Sequence, residues 1–184
     1  MRKKMTAILL SVVVLVGLVI VAVQPVSENR AAEAFSAGAF WVVSFTWGLP
    51  ASLAGAVMAL VYHARGFEAQ RLHRNIYFEN VRPVGSNNLG PFFFLGENAM
   101  AVTPYHEAGH GLQNIVLGPL YPIVVGIPSE IWYQYFIRKY ADELANDWDP
   151  EERRIAYDKM PTERWATQWG LRVYWNAQTP FVNE

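Results

Sequence analysis

The stretch that most constrains the fold is residues 5–23, MTAILLSVVVLVGLVIVAV, which runs for 19 residues without a charged side chain. A helix rises about 1.5 Å per residue, so this run just spans a hydrocarbon core about 30 Å thick. A second uncharged run, residues 38–62, has Pro50 near its middle. Arg2, Lys3 and Lys4 precede the first run, Arg65, Arg71 and Arg74 follow the second, and the loop between them carries Arg30 with Glu28 and Glu33. That bias of basic residues puts both flanks on the cytoplasmic side and the 24–37 loop outside. The expectation is a multi-pass protein of the bacterial inner membrane. Residues 1–64 would form an anchor with spans at about 5–23 and 38–62, and residues 65–184 would form a cytoplasmic domain. The first run has a rival reading as a cleaved signal peptide, given its basic start. Against that, its apolar region exceeds the usual roughly 7–15 residues, and VAVQP is a poor small-residue cleavage site.

The second feature is the pentad His106-Glu107-Ala108-Gly109-His110. Pro104 suits a first helical position, Thr103 can cap it, and Gly118-Pro119 is a stop signal, so a helix over about 104–117 is expected. On such a helix His106 and His110 share one face a turn apart, as two ligands of one ion must. Glu107 is offset by one residue and can reach a water on that ion without ligating it. This is the arrangement of an H-E-x-x-H zinc site. The competing reading is a helix whose two histidines hydrogen-bond to backbone or to acids. Gly109 and Gly111 weaken the helix by up to roughly 1 kcal/mol each. They either admit a neighbouring element closely or are incidental.

Composition narrows the chemistry. The chain has no cysteine, so thiolate sites and disulfides are excluded, and any metal is held by His, Asp or Glu. A net charge of −1 with no basic stripe argues against nucleic acid as a partner. The only other histidines, His63 and His73, flank the second run and read more readily as interfacial residues than as ligands.

Elsewhere the chain reads as mainly helical. Residues 65–90 are polar with weak periodicity, and GSNNLGP is a loop by composition. A short strand or extended stretch is expected within 92–102. Residues 112–137 are strongly apolar yet interrupted by Gly118, Pro119, Pro122, Gly126 and Pro128. They form either a broken, re-entrant or interfacial segment or the core of a membrane-apposed domain. Ser129 can cap a helix running to about Leu144. Asp149-Pro150-Glu151-Glu152 starts another to about Lys159, and Pro161 opens a short one that Gly170 ends. The tail rich in Trp and Tyr ends in residues that look loose.

A catalytic zinc needs three protein ligands and an open position. No histidine follows His110, so the third ligand is a carboxylate or an upstream histidine. Among the downstream acids Glu163 stands out, one turn into the helix opened by Pro161. Thr167 lies one turn later on the same face, where its hydroxyl can hydrogen-bond a metal-holding side chain. HEAGHGLQNIVLGPLYPIVVGIPS followed by PTERWATQWG resembles a group of small bacterial membrane proteins similar to gluzincin-type metallopeptidases. Their pattern is HE-x-GH-x-x-Q, LGPLY, G-[IL]-PS and P/T-E-[KR]-WAD-x-LG. The resemblance covers about 104–130 and 157–171. It implies a zincin-like domain with Zn2+ on His106, His110 and Glu163 and with Glu107 as base. The chain departs from the pattern at Thr167, where the family usually has an Asp that orients a ligand histidine. The pentad also occurs in membrane-anchored AAA proteases, but no G-x-x-x-x-G-K-[ST] motif exists here. Site-2-type intramembrane proteases take an Asp ligand from a later span, whereas the later acids here lie in polar sequence.

The expected function is therefore a membrane-bound zinc metallopeptidase acting on a peptide or protein substrate through a zinc-activated water. Candidates for stabilising the oxyanion are Tyr105, Tyr121, Tyr157 and Arg164, and Gln113 reads equally as a polar rim residue or a substrate contact. The alternative is a catalytically inactive or weakly active peptidase-like scaffold subunit, with partners in a larger membrane complex. The two uncharged runs and the missing Asp suit it.

Overall fold

The computed structural model describes residues 2–83, 85–146 and 148–175, so the expected loose tail lies outside the described residues. Helix α1 (Arg2–Ala22) is uncharged from Met5 on and exposed from Lys4 to Val14, and its Lys4–Ala22 portion is long and apolar enough to cross a membrane. Its last turns pack Leu15, Leu18 and Val19 against a core that includes Ala39, Phe40 and Val43 of α2 (Arg30–Ser44). Asn29 caps α2 by accepting from the N–H groups of Ala31 and Ala32.

The run 38–62 is not one straight helix. It is divided between α2 and α3 (Leu49–Ala64), which are bent by 100° at their junction. The junction has a physical cause. Pro50 opens α3, and Gly48 lies so close to the Asn114 side chain that a Cβ there would collide with it.

A four-stranded sheet follows where mostly loop was expected. Its strands are β1 (Gln70–Leu72), β2 (Asn75–Arg82), β3 (Asn87–Leu89) and β4 (Phe92–Gly96), in the order β1-β2-β4-β3. β4 agrees with the expected short strand. It pairs parallel to β2, with Ile76 opposite Phe92 and Phe78 opposite Phe94, and antiparallel to β3. The β1–β2 hairpin turns on His73 and Arg74, with His73 in the left-handed region at φ 51°. Arg74 is buried. Its guanidinium holds Glu33 at two points, 2.8 and 2.7 Å, and donates to the carbonyls of Ala22 at 2.8 Å and Gln24 at 2.9 Å. One side chain thereby ties the sheet, the end of α1 and the start of α2 together.

Helix α4 (Thr103–Leu117) matches the expected site helix and ends at Gly118, φ 56°. Thr103 lies inside it rather than capping it, and its hydroxyl accepts the Met100 N–H at 2.9 Å. A 3-10 turn (Gly118–Leu120) and a π turn (Pro122–Gly126) lead into α5 (Ile127–Lys139), with α4 and α5 bent by 117°. The expected breaks thus occur. Ser129, expected as a cap, lies inside α5. Short α6 (Ala141–Ala145) and α7 (Pro150–Tyr157), the latter capped by Asp149 as expected, precede α8 (Pro161–Tyr174). α8 does not stop at Gly170. That glycine faces the Tyr105 carbonyl, which a Cβ would strike, so its role is close packing rather than termination.

Candidate metal centre

The centre is built where α4 and α8 cross. Gly109 meets the Ala166 carbonyl and Gly170 meets the Tyr105 carbonyl, each at a distance that excludes any side chain. The glycines of the site helix are therefore not incidental, because they let the two backbones touch. That contact sets α8 against the histidine-bearing stretch of α4 and brings Glu163 over it.

His106, His110 and Glu163 converge. His106 Nε2 lies 3.2 Å from His110 Nε2, and Glu163 Oε2 lies 3.2 Å from the first and 3.4 Å from the second. All three residues are largely sealed from solvent, Glu163 completely. They form a group of donor atoms that could hold a metal ion.

Hydrogen bonds behind the histidines fix their protons. Gln113 donates its Nε2 to the Thr162 carbonyl at 2.8 Å, which turns its Oε1 toward His110 Nδ1, 2.7 Å away. Thr167 donates its hydroxyl to Asp158 Oδ1 at 2.8 Å, so its oxygen is free to accept from His106 Nδ1, also at 2.8 Å. Both Nδ1 atoms therefore carry hydrogen, and both Nε2 lone pairs point at the Glu163 carboxylate. The Ser129 hydroxyl donates to Glu163 Oε1, leaving Oε2 buried without a partner. Three acceptor atoms facing one another in a dry site require a cation between them, either a proton or a metal. The residues present fit a metal on this ground.

The electrostatics agree. Burial alone would raise Glu163, but His110 and His106 outweigh it and hold the carboxyl well below its usual range. Burial alone would lower His110, but the Glu163 carboxylate pushes it up to about 9. Glu107 is also buried, with one carboxylate oxygen unpartnered, and burial raises its pKa. A cleft of about 510 Å³ reaches His106 and Glu107 from between Met100, Tyr133, Phe136 and Tyr157.

Of the oxyanion candidates, only Tyr157 lines that cleft, with its ring centroid 5.8 Å from that of His106. Tyr105 packs on Trp175, Tyr121 is buried beside Ala51 and Val125, and Arg164 donates to the Asp158 carbonyl. Gln113 is neither rim nor contact but a fully buried support for His110. His63 sits in the exposed last turn of α3 and His73 stacks on Tyr174, so neither joins the centre. Sequence reasoning missed two participants. Ser129 was legible only as a cap. Asp158, the C-terminal cap of α7, reaches the centre through tertiary packing and left no local signal. Gln113 was singled out on the histidine face, and its role as a support for His110 differs from the rim or contact role expected. Neither a protein-family model, a curated protein nor a solved structure matches this chain.

Proposed function

We propose that the chain is a membrane-bound zinc-dependent peptidase. One observation carries the reading: two imidazole lone pairs and one carboxylate oxygen stand 3.2, 3.2 and 3.4 Å apart with a buried glutamate beside them. A tetrahedral zinc with bonds of about 2.0–2.1 Å separates its ligands by about 3.3–3.4 Å, so the triangle already has zinc dimensions. His106, His110 and Glu163 would hold the ion, and Zn2+ there supplies a Lewis acid and a water of lowered pKa. Glu107 takes the proton of the attacking water and returns it to the leaving amine. Its burial-raised pKa suits both steps. The Tyr157 hydroxyl, held protonated by burial and by the two nearby carboxylates, donates to the developing oxyanion. Phe136, Met100 and Val102 give the cleft an apolar wall.

The scaffold reading drew on the absence of the family's Asp. Asp158 reaching His106 through Thr167 supplies a carboxylate in that role, which favours the enzyme. The test is stoichiometric zinc uptake by the full chain together with cleavage of a casein or peptide-library substrate that stops on chelation and returns with zinc. A chain that takes up zinc and cleaves nothing would leave the scaffold reading in its place.

A further inference from the structure

Two uncharged helical hairpins meet at their tips. Residues 34–64 contain no Asp, Glu, Lys or Arg, and neither do residues 108–129. The first stretch is α2 and α3, and the second is most of α4, its irregular turns and the start of α5. Both pairs bend sharply, by 100° and 117°. The bends touch: the Trp47 indole fills the space beside Gly118, and its Nε1 donates to the Val116 carbonyl at 3.5 Å. Ala51, Tyr121 and Val125 are buried behind that contact. Around it the surface is apolar and open, with Trp47 and Leu53 on one hairpin and Leu120, Ile123 and Ile127 on the other.

The occupant of this face follows from its grading. Along α5, exposed Ile127 marks the end of the uncharged stretch; from exposed Glu130 on, Ile131, Trp132 and Tyr135 form a mixed polar and aromatic zone, and Arg138 and Lys139 follow. Hydrocarbon, interface and headgroup zones of a leaflet ask for that order. The non-helical backbone near the tip is backed by buried Tyr121 and Val125, as a bilayer requires of irregular backbone at depth. α2 has 15 residues, about 22 Å, which enters a leaflet but does not cross about 30 Å of hydrocarbon.

Arg74 fixes the side. It bonds the Ala22 and Gln24 carbonyls at the far end of α1, so the sheet lies level with that end. A second full span at 38–62 would put the chain after residue 64 a bilayer away from Ala22, which the Arg74 contact forbids. With the basic N-terminus inside, the C-terminal end of α1 is outside.

We infer that the hairpin tips are inserted into the leaflet at the C-terminal end of α1, with acyl chains covering the tip face and the cleft opening to water on the exoplasmic side. This replaces the two-span, cytoplasmic arrangement expected from the sequence. It deepens the peptidase reading by giving that site a side and a depth, and it would direct the site at extracytoplasmic segments close to the membrane. The insertion itself does not depend on catalysis.

The chain has no cysteine, so single-cysteine variants of the full chain report without background. Glu97→Cys and Glu143→Cys, both exposed, should react with a membrane-impermeant maleimide on intact cells, whereas Lys4→Cys should react only after permeabilisation. In vesicles of phosphatidylethanolamine and phosphatidylglycerol, an environment-sensitive dye on Leu53→Cys or Ile123→Cys should be quenched by nitroxide on the acyl chains, and a dye on Glu143→Cys should not. The reverse maleimide pattern would overturn the side. Acyl-chain nitroxides that fail to quench at both apolar positions, or disulfide cross-linking there between two copies, would overturn the leaflet as occupant. Neither readout needs zinc or activity, so a failed peptidase assay leaves this result standing.

Discussion

Asp158 and His106 are joined through a single hydroxyl: Thr167 donates to Asp158 Oδ1 and accepts from His106 Nδ1, each at 2.8 Å. Arg154 holds the other Asp158 oxygen at 2.9 Å. The carboxylate behind His106 therefore sits at the C-terminal cap of α7, one residue removed from direct contact. Asp158→Asn should weaken zinc binding by about 10–100-fold, the usual cost of losing such an outer partner. Thr167→Asp should restore affinity in an Asp158→Ala background, because it returns the charge to the imidazole. Zinc affinity by chelator competition decides it, and unchanged affinity in Asp158→Asn would remove the relay.

Glu163 is fully buried and faces both Nε2 atoms, whereas Glu152 is exposed on α7. Glu163→Ala and His110→Ala should each abolish stoichiometric zinc uptake, and Glu152→Ala should leave it unchanged. Glu107 touches no donor atom of the trio by hydrogen bond, so Glu107→Gln should keep the metal and lose hydrolysis. Metal content and cleavage rate measured on the same preparations separate the two roles. Wild-type turnover in Glu107→Gln would end the general-base assignment.

Tyr157→Phe removes one hydroxyl from the cleft wall and leaves the ring against His106. An oxyanion donor lost in this way lowers kcat by about 10²–10³-fold. The expected signature is a fall in kcat with KM and zinc content little changed. A rise in KM alone would make Tyr157 a substrate-binding residue instead.

What could be read from the sequence was what is local. The pentad, Pro104 and Gly118 mark α4 because capping and 3.6-residue periodicity act within a few residues. Glu163 could be singled out because Pro161 starts its helix. The β1–β2 hairpin was hidden because its turn is His73-Arg74, with none of the Gly, Asn or Asp that announce a tight turn, and because β2 buries its residues without clean alternation. Residues 38–62 were read as one straight helix because absence of charge looks the same in a single helix and in two helices bent at a break. Gly170 was read as a stop because a glycine at a helix end and a glycine at a backbone crossing are the same letter.

That crossing is testable by itself. A Cβ on Gly170 meets the Tyr105 carbonyl, and one on Gly109 meets the Ala166 carbonyl, both backbone atoms that cannot rotate away. Gly→Ala normally stabilises a helix interior by about 0.5–1 kcal/mol. Here Gly170→Ala should instead lower the melting temperature and weaken zinc binding, since Glu163 rides on the displaced helix. A more stable Gly170→Ala protein with intact zinc affinity would mean that the helices do not touch there.

Proton and metal compete for the same three acceptors, and the sign of the pH dependence follows. In the metal-free chain His110 is raised from 6.5 to about 9, because the buried Glu163 carboxylate favours the imidazolium more than burial disfavours it. A raised pKa contributes stability that is complete below the unfolded value near 6.5 and is lost as pH rises through about 9. The metal-free protein should therefore lose stability between those values, by at most about 1.4 kcal/mol per pH unit. Zinc needs the deprotonated imidazole, so binding releases a proton and apparent affinity should rise up to about tenfold per pH unit across the same window, which offsets the loss and leaves the stability of the loaded protein nearly flat there. Thermal melts with and without zinc across that range would show a falling curve for the metal-free protein and a nearly flat one for the loaded protein. In His110→Ala the metal-free slope should flatten. Parallel curves in the native chain would mean that proton and metal do not share the site.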